Sequence, residues 1–201
     1  MHTFRYGTAE ISHLKKRDKK LGATIDEIGM VHRTVTPDLF TALIASVASQ
    51  QISAKAAETV WARMEGRFGT ITPATIAVAS TEEIQQCGMS QRKAGYIRGI
   101  AEKVVDGDLD LDGLRQLPDD EVITRLSALN GVGVWTAEML LIFSMERPDV
   151  LSWGDLAIRR GMMRLYGIEM IDRARFDRYR KRYSPCGSVA SLYLWEISHR
   201  Y

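Results

Sequence analysis

Two stretches of the chain carry residue types at spacings that can do chemistry. The first is the turn Asn130-Gly131-Val132-Gly133. It interrupts a helical stripe formed by Ile123, Leu126, Ala128 and Leu129, and a second helix runs from about Trp135 to about Met145. Two glycines let the backbone turn sharply and let another chain approach with no Cβ in the way. The second helix begins with unpaired N–H groups and the positive end of its dipole, a natural place for an anion. No phosphate-loop lysine follows the glycines and no β-rich run precedes them, which argues against a nucleoside-triphosphate loop and a dinucleotide fold. A plain αα-hairpin with a glycine turn satisfies the same pattern. The second stretch is Gly154-Asp155, which opens a helix that runs to about Tyr166 and closes at Gly167. Taken alone, an aspartate at a helix start reads as an N-cap.

Composition sets the bounds. The chain has 201 residues, 45% hydrophobic and 26% charged, enough for one large domain or two small lobes with a substantial core. No apolar run is long enough to span a membrane, and the N-terminal stretch lacks a signal-peptide core, so a cytoplasmic location is expected. Cys87 and Cys186 cannot make a four-cysteine iron–sulfur or zinc site, and a disulfide is not expected in a reducing compartment. The net charge of +2 says little about partners. Its distribution says more: Arg159, Arg160, Arg164, Arg173, Arg175, Arg178, Arg180, Lys181 and Arg182 face only Glu169, Asp172 and Asp177, and a second cluster lies at Lys15, Lys16, Arg17, Lys19 and Lys20. Such runs are often solvated helix faces. Beside an anion-binding hairpin, nucleic acid is the better reading.

Everything around these stretches reads as helix. One helix is expected over residues 8 to 29, capped at Thr8, with Ile11, Leu14, Leu21, Ile25 and Ile28 inward. A buried helix starts at Thr36-Pro37-Asp38 and ends in Ala48-Ser49-Gln50-Gln51-Ile52-Ser53, and the next runs from Ser53 to about Phe68. Short helices follow at about 73–79 and 81–87, then Gln91 to Val105 with Tyr96, Ile97, Ile100 and Val104 inward. Between them, Gly88-Met89-Ser90 reads as a capping turn that leaves Lys93 facing solvent. Gly107 to Gly113 is an acidic connection, residues 172 to 183 form a very basic helix, and 188 to 199 close the chain. No convincing strand run is present. The fold class is all-α.

The run Leu129-x-Gly131-Val132-Gly133-x-Trp135-Thr136-Ala137, followed by Gly154-Asp155, resembles the helix-hairpin-helix (HhH-GPD) DNA glycosylase superfamily. Trp135-Thr136-Ala137 is similar to its alkylation-repair branch, the 3-methyladenine DNA glycosylase II enzymes. The likeness covers roughly residues 35 to 197. It implies a two-lobed core; with two cysteines no iron–sulfur cluster of the kind some relatives carry is expected, and with only about 35 residues before the helical core no N-terminal β-domain like that of the best-known relatives is expected. One lobe spans 37–145 and holds the hairpin; the other joins 1–36 to 146–201 and carries Asp155, with the active site in the cleft between. It implies that Asp155 is the catalytic aspartate. Trp135 and Trp195, with Trp153 and Met139 behind them, would form the base pocket. Gln51, supported by Gln50, would be the wedge that fills the gap left by an extruded nucleotide. Asn130, Gly131, Val132, Gly133, Val134 and Thr136 would bind DNA phosphate, and the carbonyls of Leu129, Val132 and Val134 a Na+ or K+ ion. The stretch Cys87-Gly88-Met89-Ser90-x-x-Lys93-Ala94 resembles a family segment beside the DNA.

The reaction implied is hydrolysis of the N-glycosidic bond of alkylated purines such as 3-methyladenine and 7-methylguanine in duplex DNA, by a monomer that needs no redox cofactor. The base must first be extruded, at a cost of a few kcal/mol. Cleavage then builds positive charge on the deoxyribose, which a preorganised carboxylate stabilises. Alkylated purines are already cationic, so an electron-rich aromatic pocket attracts them and little acid catalysis is required. Bifunctional members place a Schiff-base lysine in the second hairpin helix. Trp135 stands there, which predicts a monofunctional enzyme. Met139 stands where some broad-specificity relatives have an aromatic. The competing readings are a glycosylase for mismatched or oxidised bases, a non-catalytic helix-hairpin-helix DNA-binding protein, and an all-α interaction protein without a nucleic-acid role.

Overall fold

The structure, a computed structural model, describes residues 2–200, and among these it is all-helical apart from one isolated antiparallel bridge between Thr3 and Thr34. In chain order the helices are α1 (Thr8–Arg17), α2 (Lys19–Ile28), α3 (Leu39–Ser49), α4 (Ala54–Phe68), α5 (Pro73–Ala77), α6 (Thr81–Gln85) and α7 (Gln91–Val105). They continue as α8 (Leu111–Leu114), α9 (Asp119–Ser127), α10 (Val134–Phe143), α11 (Leu156–Tyr166), α12 (Arg173–Tyr183) and α13 (Gly187–Arg200). No helix is long and apolar enough to cross a membrane among the described residues.

The chain divides into two compact units, Met1–Val35 with Leu141–Tyr201, and Thr36–Leu140. The division falls inside α10, the second helix of the hairpin, rather than after it. In the first unit α13 is the central element: Val189, Ala190, Leu192, Tyr193 and Leu194 are all buried, and α11 packs along it. The approach is so close that a Cβ on Gly161 would lie 2.1 Å from the Leu194 carbonyl oxygen, so α11 can lie at this depth only with glycine there. In the second unit α7 plays that part, contacting α3, α5 and α6 through buried Ala94, Ile97, Ile100 and Ala101.

Helix starts follow local chemistry. Ser53, Thr72, Ser80, Ser90, Asp38, Asp110 and Asp172 each accept a hydrogen bond from a first-turn N–H with the side chain. Two expectations are corrected. The acidic connection after Gly107 contains a short helix, α8, because the Asp110 carboxylate accepts from the Gly113 N–H. The single helix expected over 8–29 is two, capped at Gly7 rather than Thr8 and broken at Asp18. Asp18 is extended (φ −143°, ψ 107°) and its carboxylate accepts from the Lys20 and Leu21 N–H groups, restarting the helix. The same carboxylate accepts from the Tyr166 hydroxyl at 2.5 Å and from Arg182 at 2.6 Å. Those partners lie far along the chain, so local periodicity had no access to them.

Candidate active site

Asp155 is the N-cap of α11, and one carboxylate oxygen accepts from the Ile158 N–H at 2.9 Å. The other accepts from the indole N–H of Trp195 on α13 at 3.2 Å. The residue is only 6% exposed, so its carboxylate is held in one direction by a helix start below it and an aromatic beside it. The capping role and a chemical role are therefore compatible, since each uses a different oxygen. Trp195 was expected in the base pocket. It is half-buried, its ring stacks on Phe143 at 5.5 Å and 29°, and its N–H is committed to the carboxylate. Neither Phe143 nor this hydrogen bond was identified in advance; aromatics in an apolar helix give no local sign of which polar group they meet.

Trp153 belongs to a different cluster of the same unit. Its ring meets Phe176 edge-on at 5.2 Å, and the guanidinium groups of Arg159 and Arg173 lie 4.8 and 5.6 Å from its centroid. That arrangement satisfies an electron-rich face with protein cations. The two basic tracts, distant in sequence, also meet here: Lys16 and Arg17 of α1 line one shallow depression of about 400 Å³ with Arg178, Lys181 and Arg182 of α12. Arg182 is anchored by buried Asp18. Burial alone would raise the Asp18 pKa, but hydrogen bonds from the Leu21 N–H, Tyr166 and Arg182 outweigh it and hold the carboxyl below its ordinary value.

The second unit holds the hairpin. Leu129 and Val132 are buried beneath the turn and Asn130 is exposed above it. The glycines divide the work. Gly131 has φ 84°, and a Cβ there would lie 2.5 Å from the ring of Tyr96, so both conformation and space demand glycine. Gly133 has ordinary φ and nothing within 4 Å of a would-be Cβ, which leaves its surface open. The Leu129 carbonyl accepts from the Val132 N–H at 3.1 Å, closing the turn. Turn carbonyls are hard oxygen donors of the kind a monovalent cation takes, so the donor type fits the expected ion. Thr136, expected at phosphate, is 6% exposed and lines a pocket instead of the hairpin's outer surface.

That pocket, about 440 Å³, is lined by Ser46, Ser49, Gln50, Gln51, Trp135, Thr136 and Met139. The structure thus brings the two glutamines beside two of the four residues expected to form the base pocket. Gln51 is exposed and left-handed, with φ 59°. Gln50 is tied down, its side-chain amide donating to the Gly131 carbonyl at 2.8 Å. Lys93 is not the solvent-facing lysine expected. It is half-buried, and its ammonium donates to the Ala48 carbonyl at 3.0 Å and to the Gln50 carbonyl. Burial there holds its pKa below the ordinary lysine value. Among the described residues no group of three or more His, Cys, Asp or Glu side chains is placed to hold a metal, and both cysteines are buried and free.

Comparison with known proteins identifies the family. Residues 44–185 match the family described as HhH-GPD superfamily base excision DNA repair protein. The chain is 36% identical over 163 residues to DNA-3-methyladenine glycosylase 1 of Schizosaccharomyces pombe, covering 78% of this chain and 71% of that protein. Among solved structures, a DNA-3-methyladenine glycosidase from Bacillus halodurans superposes with a TM-score of 0.89 at 36% identity, covering 100% of this chain and 94% of that one. The S. pombe 3-methyladenine DNA glycosylase in complex with abasic DNA superposes with a TM-score of 0.80 at 30% identity, covering 94% and 96%. A glycine hairpin shaped by Tyr96, a capped and oriented aspartate on the helix that follows it, and a family match that spans both place this chain in the HhH-GPD superfamily of base-excision DNA repair proteins.

Proposed function

We propose that the chain is a monofunctional DNA N-glycosylase that extrudes N-alkylated purines from duplex DNA and hydrolyses their glycosidic bonds. The observation that carries this reading is the Asp155 carboxylate, buried and aimed by the Ile158 N–H and the Trp195 indole in a chain 36% identical to a 3-methyladenine glycosylase. A carboxylate fixed before the reaction stabilises charge that develops on the sugar without having to reorganise. An already cationic base leaves without a strong acid, so no second catalytic side chain is required.

The other parts have roles that fit. The hairpin turn from Asn130 to Val134 binds phosphate on the damaged strand, and the carbonyls of Leu129, Val132 and Val134 would hold a Na+ or K+ ion whose positive charge would add to the attraction for phosphate. Gln51 fills the gap left by the extruded base, and Trp135, Met139 and Trp195 contact the base. Trp153, packed in the Phe176–arginine cluster, stands apart from Trp195. The basic depression between α1 and α12 extends the electrostatic footprint, making affinity salt-dependent. One compact unit bears the hairpin and wedge and the other bears Asp155, and the chain acts as a monomer. Trp135 in place of a Schiff-base lysine favours simple hydrolysis, so borohydride should trap no covalent complex on damaged DNA.

The test is release of 3-methyladenine and 7-methylguanine from methylated duplex DNA, read by chromatography, for wild type and Asp155→Asn. Asparagine caps helices as well as aspartate, so the fold is kept. Release should fall by about 10²- to 10³-fold while DNA binding persists. Equal release by the two proteins overturns the role of Asp155, and no release by wild type overturns the alkylation reading.

A further inference from the structure

We propose that Lys93 is the latch that holds the wedge loop against the hairpin, and that it serves base extrusion rather than bond cleavage. The proposal rests on the glycosylase reading above and adds to it a positioning residue.

The geometry starts at the end of α3. The last carbonyls of a helix have no partner within it and carry the negative end of its dipole. Ala48 lies in that last turn, and Gln50 follows as the C-cap. The Lys93 ammonium donates to both carbonyls, bridging the helix end and the loop. An ammonium has three donors in a compact head, so one side chain can fasten two points of a loop at once. Immediately beyond the fastened residue the backbone swings into the left-handed region at Gln51, a conformation that costs a non-glycine residue free energy and persists only where its surroundings enforce it.

The same helix also shapes the hairpin. Tyr96 stands one turn after Lys93 on α7, and its ring fills the space over Gly131 where a Cβ would sit. The Gln50 amide then joins the two fastened segments by donating to the Gly131 carbonyl at 2.8 Å. Lys93, Gln50 and Tyr96 therefore form one closed frame: α7 to wedge loop, wedge loop to hairpin turn, hairpin turn to α7. The Gln51 side chain is left outside that frame, exposed at the rim of the pocket that also contains Trp135 and Met139. A wedge that must hold open a base stack needs a stiff base of this kind. Without Lys93 the stack would push the loop back, and binding energy would be lost in bending protein instead of DNA.

The test uses full-length wild type, Lys93→Met and Lys93→Arg. Single-turnover release of 7-methylguanine is measured from a duplex and from the matching single strand. Extrusion is read separately from the fluorescence of 2-aminopurine beside an abasic site in a duplex. Lys93→Met should slow duplex release by about tenfold, the share of one charged hydrogen-bonding group, and lose most of the 2-aminopurine rise. Release from the single strand, which has no stack to open, should change much less. Lys93→Arg keeps the charge and donors and should recover most of both signals. The salt slope of DNA binding should be unchanged in Lys93→Met. A slope smaller by about one would make Lys93 a phosphate contact and overturn the latch. A full 2-aminopurine response, or equal losses on duplex and single strand, overturns it as well. Should wild type release no methylated base, the glycosylase reading fails by itself, and the fluorescence response on the abasic duplex still decides for or against the latch.

Discussion

Asp18 and Asp155 lie in the same compact unit, and they are alike to a first view. Each is buried, each is the N-cap of a helix, and each accepts a first-turn N–H with one carboxylate oxygen. Their second oxygens differ. That of Asp18 accepts from the Arg182 guanidinium and from Tyr166, which in turn meets Tyr183 at 2.6 Å. Charge is matched with charge, and three helices are pinned together. The second oxygen of Asp155 accepts from an indole N–H, a neutral donor that sets direction without contributing an opposite charge. One carboxylate is used as a fastener and the other is aimed. A helix cap by itself thus does not separate the two aspartates; the group that meets the second carboxylate oxygen does.

This contrast can be broken by exchange of single atoms. Asp155→Asn should remove most activity, as described above, with little change in unfolding free energy. Asp18→Asn should do the reverse. It keeps the cap but turns an amide toward Tyr166 and Arg182, which should cost about 1–3 kcal/mol in denaturant unfolding near neutral pH while leaving base release intact. Its pH dependence has a defined sign. Because the folded carboxyl of Asp18 is held below the ordinary value, its stabilisation is complete above the unfolded pKa of about 3.9 and is lost as pH falls through the lower folded value. The stability difference between wild type and variant should therefore shrink in acid. A difference that is constant from pH 7 to pH 3 would show that the ion pair contributes nothing.

A smaller change sharpens the same point at Asp155. Trp195→Phe keeps an aromatic ring against Phe143 and removes the N–H. Single-turnover release should slow by roughly tenfold, about the contribution of one hydrogen bond to a charged group, with DNA affinity nearly unchanged. An unaltered rate would reduce Trp195 to a stacking surface. The smallest effect on stability is expected at Gln51, where glycine relieves a left-handed backbone: Gln51→Gly should leave stability equal or up to ~1 kcal/mol higher. Duplex release should nonetheless fall, because the side chain that fills the vacated space is gone. Undiminished duplex activity in this variant would remove Gln51 from the wedge.

Much of the architecture was legible in the chain because it rests on local rules. Helix starts at Ser53, Ser90, Asp155 and Asp172 follow from side chains that cap, and the end of α11 at left-handed Gly167 follows from the one residue that adopts φ 66° without strain. The hairpin glycines announced a turn, and Asp155 announced a helix start. Lys93 was misread for an equally physical reason. A lysine after a capping serine looks solvent-facing unless one knows which helix end lies opposite it, and α3 lies more than forty residues earlier in the chain. The break at Asp18 was hidden in the same way, because a run of apolar residues at helical spacing continues through it.

The sequence by itself determined an all-α chain, where most of its helices begin and end, and which stretch could bind an anion, since capping, periodicity and glycine geometry act over a few residues. The tertiary structure alone decided what those elements do to one another. It set Trp195 on the Asp155 carboxylate, Tyr96 over Gly131, Lys93 on the end of α3 and Arg182 on Asp18. Each of these is a polar atom or close approach whose partner is remote in sequence. Such pairings are selected by burial, where an unmatched donor or acceptor is costly, and burial is a property of the packed molecule rather than of any segment of the chain.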